Sequence, residues 1–502
     1  PGAFIAVWIY EHAGKSLVPV IVFLATFLAF ELISPANWLL TGGFPEAMAI
    51  GTLLFYLIAV LLIVAYRRFF FSAPAGEDKT AGRPVKGKRT IRLPMAIIAI
   101  TAIVSIISLA VIVSVNAGMS YPQPAGEYKV GKAAYDWVDQ NRPEIATGNA
   151  TNRELMVYVW YPADISANMT EAPVMDARTA AAVRPGDAFS LGFLKDLSDH
   201  TYKDAPLSAD RFQYPVLIMS HGDTSSPLLM TVTAADLASH GYIVAGISYT
   251  YNARGTVFPD GRVIGRDYNY SLIGDDYLNF SLSYYENAKQ WASHNADVER
   301  READDVSFVL DQLEQLNRTD ALFQGKIDLS RIGTYGHSLG GAASITSAEL
   351  DDRIIAAADL DGALYHDTNI SKPTMLLERG SRMGYNRSYD ALNQRLLTPV
   401  QFAEMKAIWD DSEYRVLTSP STAYYVGING TEHNNFKDYG ALNFPLDIGR
   451  IDGRYATGII DSYLLAFFDK HLNGIDSPLL DGKPVYPEVV FEKYDNGVAV
   501  AR

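Results

Sequence analysis

The stretch Arg331–Ser344, RIGTYGHSLGGAAS, decides how the larger part of this chain is read. An apolar, β-rich run, RIGTYG, leads into Ser338, which is framed by Gly336 and Gly340, and a run of small residues continues from it. In a G-x-S-x-G turn between a strand and a helix, the serine occupies a tight, strained corner, where a Cβ at either glycine would collide with neighbouring backbone. Its hydroxyl stands above the sheet at a helix N-terminus. A five-residue glycine pattern also arises by chance, so the reading depends on its flanks and on partners elsewhere.

The flanks repeat one pattern. Short apolar runs recur at 155–161 (LMVYVWY), 214–220 (YPVLIMS), 242–248 (YIVAGIS), 354–360 (IIAAADL), 373–378 (PTMLLE) and 423–428 (AYYVGI). Between several of them lie segments at 230–241, 296–317 and 458–474 with apolar residues at three- and four-residue spacing, which predicts helices. Unbroken apolar strands alternating with amphipathic helices predict an α/β fold whose mostly parallel sheet is covered on both faces. Such sheets bind ligands at the carboxyl ends of their strands.

A serine nucleophile needs a base and a carboxylate to orient it, in the order Ser, Asp, His for a strand–serine–helix turn of this kind. Asp361, in DLDG, follows the run 354–360, and His433, in GTEHNNF, follows the run 423–428. Both therefore end strands at the edge that carries Ser338. Asp359 is the rival acid, although it falls inside its strand. His366 follows Asp361 too closely to partner it, His337 points away if Ser338 points up, and His471 belongs to a terminal helix. Two backbone N–H groups are needed for an oxyanion hole. Leu339 supplies one, and the turn Ser220-His221-Gly222-Asp223 supplies the other through Asp223, whose carboxylate must face away from a developing oxyanion. His221 reads as a structural loop residue. DLDG lacks the spacing and terminal Glu of a calcium loop, so neither a metal site nor a cofactor is expected.

The chain has 502 residues, 48% hydrophobic and 12% aromatic, enough for a large core, and no cysteine, which removes thiol chemistry and disulfides. Its net charge is −15, and residues 121–502 alone carry −19, which argues against nucleic acid as a partner. Residues 1–118 differ from the rest. Runs at 17–33, 47–66 and 95–115 are apolar over about the length that spans a bilayer. The first is short and holds Glu31, so it also fits a re-entrant or interfacial segment. The basic stretch between the second and third runs predicts a cytoplasmic loop, hence a multi-pass membrane protein with everything after residue 118 outside the cytoplasm. The helices would meet membrane lipids and offer a docking surface for other membrane proteins. The chain starts with Pro and shows no cleavable signal, so further N-terminal sequence is expected.

Residues 119–152 read as a linker leading into a catalytic domain at 153–502, with insertions at about 163–210, 251–295 and 379–415. The second insertion holds Tyr251, Phe258, Tyr268, Tyr270, Tyr277, Phe280, Tyr284, Tyr285 and Trp291, which read either as a cap shaping an apolar acyl pocket or as packing. Eight Asn-X-Ser/Thr triplets, at Asn149, Asn168, Asn269, Asn279, Asn317, Asn369, Asn386 and Asn429, fit an extracytoplasmic glycoprotein or are incidental.

The blocks MSHG with DLASHGYIVAGIS, DVSFVLDQL, GHSLGG, DLDG and GTEHNNF resemble, in order, those of the platelet-activating-factor acetylhydrolases, a family of α/β-hydrolases. The likeness covers about residues 153–475 and excludes the N-terminal apolar runs. It implies an α/β-hydrolase fold, with Ser338 as nucleophile, Asp361 as acid, His433 as base, and calcium-independent hydrolysis of esters with short or oxidised acyl chains. Asp223 departs from the uncharged residue common there. The expectation is a membrane-anchored serine esterase acting on phospholipid-like or other small esters. A general carboxylesterase or polyester hydrolase, and a catalytically silent subunit of a membrane assembly, are the alternatives.

Overall fold

The computed structural model describes residues 120–183, 192–267, 284–365, 370–380, 398–401, 413, 415–442, 449–482 and 485–501. The three N-terminal apolar runs, His366, the sequons at Asn269, Asn279, Asn369 and Asn386, and much of the third insertion lie outside these residues. Among the described residues no helix is long and apolar enough to cross a membrane.

The strands are β1 (Lys129–Pro143), β2 (Asn152–Ala163), β3 (Thr201–Lys203), β4 (Tyr214–Ser220), β5 (Ile243–Ser248), β6 (Gly255–Val257), β7 (Val263–Gly265), β8 (Ile327–His337), β9 (Ile354–Leu360), β10 (Thr374–Arg379), β11 (Thr422–Ile428), β12 (Val489–Asp495) and β13 (Val498–Ala501). The helices are α1 (Ala177–Ala182), α2 (Thr231–Ser239), α3 (Tyr284–Thr319), α4 (Leu339–Leu350), α5 (Asp438–Ala441) and α6 (Gly453–Phe468). Eleven strands form one sheet in the order β13-β12-β11-β10-β9-β8-β4-β5-β2-β1-β3, and β6–β7 is a separate hairpin.

From β11 to β5 neighbouring strands are parallel. The pairs β2–β5, β1–β2, β11–β12 and β12–β13 are antiparallel. The parallel centre is buried on both faces, as its unbroken apolar runs require: every residue of β4 and β5 is buried.

Beside the strands β3, β6, β7, β12 and β13, which the apolar runs did not announce, sequence and structure part in two further places. The expected linker 119–152 contains β1, a 15-residue strand whose exposure alternates along most of its length. Lys129, Asp136, Gln140 and Asn141 are among its exposed positions, and these mask the period of two in an apolar-run reading. The helix expected at 296–317 begins twelve residues earlier, at Tyr284, inside the second insertion. There the polar YENAKQWASHN has no continuous apolar face to announce it.

Helix α4 is a rod of small residues, buried from Leu339 to Ala348, and α3 lies against it. Helix α3 is also fastened by charge. Arg153 at the start of β2, 4% exposed, reaches Asp305 of α3 through Nη2 at 2.6 Å and Glu144 through Nη1 at 2.8 Å. It also donates to the carbonyl of Thr250 at 2.8 Å. Removing one member of such a buried cluster costs about 3–5 kcal/mol, because the remaining charge loses its partner.

Candidate active site

Ser338 connects β8 to α4 with φ 57° and ψ −125°, a left-handed conformation that a serine adopts only under constraint. The constraint is the approach of three backbones. A Cβ on Gly336 would lie 2.3 Å from the Gly340 carbonyl oxygen, and one on Gly340 would lie 2.4 Å from that of Ser220. The Ser338 N–H donates to the Leu360 carbonyl at 2.9 Å, which ties the corner to β9. Leu339 opens α4, so its N–H lies in the first helical turn, where no intrahelical acceptor exists.

Asp361 follows β9, also at positive φ (57°), with its N–H on the Leu377 carbonyl at 2.8 Å. Its side chain is 5% exposed, and Oδ2 meets His433 Nδ1 at 2.5 Å. Arg379, at the end of the adjacent β10, donates from Nε at 3.1 Å and from its backbone N–H at 3.3 Å to Oδ1. With its Nδ1–H directed at a carboxylate, His433 keeps the Nε2 lone pair for a proton. Nothing in the sequence motif pointed to Arg379. Its signal is topological: β10 lies beside β9, so its last residue faces the acid loop.

His433 opens a short 3-10 turn, His433–Phe436, whose start is fixed by the Glu432 N–H donating to Asn435 Oδ1 at 2.8 Å. Behind it stands His337. Its Nε2 donates to the His433 carbonyl at 2.9 Å, and the two rings lie 4.4 Å apart between centroids. That bond fixes the tautomer, because a carbonyl only accepts, and Nδ1 is left without a partner. Burial, helped by the neighbouring His433, holds the His337 imidazole well below its ordinary range, so it works neutral. His337 thus braces His433. Five residues after His433, Asp438 accepts the N–H groups of Thr231 and Val232, both at 3.1 Å, at the amino end of α2. Burial pushes its carboxyl up to about 7.

The turn after β4 completes the site. A Cβ on Gly222 would lie 2.9 Å from His337 Nδ1 and 3.1 Å from Ser338 Cβ, so only glycine lets this backbone approach the serine. His221 is fully buried, donates from Nδ1 to the Gly222 carbonyl at 2.7 Å, and accepts the Tyr249 N–H on Nε2 at 3.2 Å. Burial holds it down to about 4, as befits a neutral scaffold residue. Asp223 follows, half-buried, and then Thr224 at φ 49°.

The competing residues fall elsewhere. Asp359 is 2% exposed inside β9, with Oδ1 unpartnered, and a Cβ on Gly362 would lie 2.4 Å from that oxygen. Burial, reinforced by Asp361, pushes its carboxyl well above the usual range, which disfavours a charge under the elbow. His471 contacts Tyr424 OH at 3.3 Å, near the end of β11 away from Ser338. Among the described residues no set of three or more His, Asp or Glu side chains is arranged to hold a metal ion. Of the insertion's aromatics, Phe258 is buried and Trp291 packs edge-on against Tyr365 at 5.4 Å. Tyr251 and Tyr365 pack on the small cluster of Val298 and Leu339, next to the serine. Tyr268, Tyr270, Tyr277 and Phe280 lie outside the described residues.

The family model for platelet-activating factor acetylhydrolase, isoform II, matches residues 113–477. The chain belongs to that family. A probable 1-alkyl-2-acetylglycerophosphocholine esterase of Arthroderma benhamiae is 24% identical over 432 residues, which cover 78% of this chain and 98% of that protein. The platelet-activating factor acetylhydrolases of Cavia porcellus and Canis lupus familiaris are 23% and 25% identical, over 53% and 52% of this chain. This acetylhydrolase relative spans 58% and 57% of their lengths. Among solved structures, a ferulic acid esterase from Streptomyces cinnamoneus superimposes with a TM-score of 0.58 at 26% identity, over 74% of this chain and 99% of that one. The α/β fold with its mostly parallel sheet is therefore that of an esterase, and the acetylhydrolase-family chain is an ester-hydrolysing serine hydrolase.

Proposed function

We propose that Ser338, His433 and Asp361 are nucleophile, base and acid in the hydrolysis of short acyl esters of lipid-like alcohols, a 2-acetyl glycerophospholipid being the type substrate. The observation that supports this reading most is the 2.5 Å contact between His433 and Asp361, residues 72 positions apart, against the histidine that precedes the strained serine. In the mechanism His433 Nε2 takes the Ser338 proton as Oγ attacks the ester carbonyl. Asp361, itself held by Arg379, stabilises the imidazolium that forms. The N–H groups of Leu339 and Asp223 receive the oxyanion. The imidazolium then protonates the leaving alcohol, and water repeats the sequence on the acyl-enzyme. Relatives described as acetylglycerophosphocholine esterase and acetylhydrolase favour a small acyl group.

The likeness to a ferulic acid esterase supports a second reading, in which Tyr251 and Tyr365 receive an aromatic acid. Residues 1–118 are proposed to anchor the enzyme in a membrane with its catalytic domain outside the cytoplasm. Labelling with a fluorophosphonate, together with turnover of nitrophenyl acetate, 2-acetyl glycerophosphocholine and methyl ferulate by the parent and Ser338→Ala, tests the reading. The parent is expected to be labelled and to prefer the acetyl esters, and Ser338→Ala to do neither. Equal turnover by both proteins overturns the assignment, and a preference for ferulate selects the second reading.

A further inference from the structure

Three carboxylates on one face of α3, Glu299, Glu302 and Asp305, are completely buried at three-residue spacing. Asp305 belongs to the Arg153 cluster. Glu299 accepts the Thr346 hydroxyl of α4 and, at 2.8 Å, the N–H of Tyr365 in the loop after Asp361. Glu302 has no structural ion pair of this kind. Its Oε1 accepts Asn252 Nδ2, and its Oε2 is buried without a partner. Asn252 is also completely buried, and its Oδ1 accepts the N–H of Thr224 at 3.4 Å. The same loop holds the turn twice more, since Arg254 donates from its backbone N–H to Ser225 O and from Nε to Thr224 O, both at 3.0 Å.

We propose that Asn252 and Glu302 form a relay that positions the turn Gly222–Ser225 against Ser338. The argument rests on the proposed role of that turn as an oxyanion donor. Thr224 stands at positive φ immediately after Asp223, and what holds the Thr224 N–H fixes the peptide that follows Asp223, which together with the two Arg254 bonds constrains the turn that carries the Asp223 N–H. The holder is a neutral amide, and the amide's orientation is set in turn by Glu302: the acceptor Oε1 fixes which end of Asn252 faces α3. An apolar residue at position 302 would avoid burying a carboxyl but would leave Asn252 Nδ2 without its acceptor. The buried carboxyl is therefore a cost to the fold, consistent with a positioning task. Burial, with Asp223 and Asp305 nearby, pushes the Glu302 carboxyl well above the usual range against the pull of Asn252 and Arg153, and glutamine keeps an acceptor oxygen for Asn252 at this position.

The test compares the full chain with Glu302→Gln, Glu302→Leu, Asn252→Ala and the double variant Asn252→Ala/Glu302→Leu, measuring kcat and KM on nitrophenyl acetate and melting temperature. Loss of a whole oxyanion donor lowers kcat by about 100- to 1,000-fold, so a misaimed one is expected to lower it at least tenfold. The relay predicts that loss in Glu302→Leu and Asn252→Ala with KM within twofold, recovery to within about threefold in Glu302→Gln, and a double variant no worse than the worse single one. Folded Glu302→Leu or Asn252→Ala with kcat within twofold of the parent overturns the relay, as do losses that multiply in the double variant. An unlabelled, inactive parent would instead sink the serine-esterase reading itself.

Discussion

Replacing Asp361 by asparagine is the sharpest test of the site. The carboxylate accepts Nδ1–H of His433 at 2.5 Å and is held by Arg379 at 3.0–3.1 Å. Asparagine is of nearly the same size, but its amide offers a donor to Nδ1. The imidazole then carries its proton on Nε2, where the serine needs a lone pair. The change leaves Arg379 near Glu432, at 3.7 Å, as a remaining partner, so gross unfolding is not expected. Loss of the correct tautomer and of the anion that stabilises the imidazolium lowers kcat by about 10³–10⁴, which is ~4–5.5 kcal/mol of barrier. KM should stay within about threefold, because Asp361 does not touch the substrate. Steady-state hydrolysis of nitrophenyl acetate measures both constants, and the rate of fluorophosphonate labelling should fall in parallel. The control is Asp359→Asn: burial already disfavours a charge on that carboxyl, so its kcat should remain within about threefold of the parent. A loss below tenfold in Asp361→Asn, or a larger loss in Asp359→Asn, would refute the reasoning and exchange the two acids.

Three further outcomes are expected. Gly222→Ala places a Cβ 3.1 Å from Ser338 Cβ and 2.9 Å from His337 Nδ1, so the turn recedes and kcat falls about 100-fold while the melting temperature stays within a few degrees. His221 is held down to about 4 in the folded chain, so folding excludes a proton that the unfolded chain binds below 6.5; stability is intact above that value and is lost as pH falls toward 4, by about 3 kcal/mol. Denaturant titrations between pH 7.5 and 4 read this slope, and His221→Gln should flatten it. Asn429 is exposed, four residues before the proposed base His433, and peptide mapping of active protein should find it without a glycan, because a sugar there would crowd the mouth of the proposed site.

The parallel centre of the fold was legible because its strands are buried on both faces, and burial on both faces writes an unbroken apolar run: β9 has the bounds read from its residues. Strand β1 and the first turns of α3 escaped for the opposite reason, since half-exposed elements dilute their period with charge. The proposed nucleophile, acid and base were legible because a strained elbow and two strand ends leave local signatures. Arg379, His337, Asn252 and Glu302 leave none: each acts through a neighbour brought near only by strand order or helix packing.

The strand that delivers the histidine would be hazardous alone. All but the first residue of β11 is buried, and an uncovered edge so greasy invites a second molecule to add its own ribbon there. The hairpin β12–β13 shields it: β12, which carries Glu492, Lys493 and Asp495, covers β11, and the rim becomes the four-residue β13. Clipping the chain after α6 should therefore harm solubility before it harms chemistry, leaving clumped protein whose serine is still correctly built.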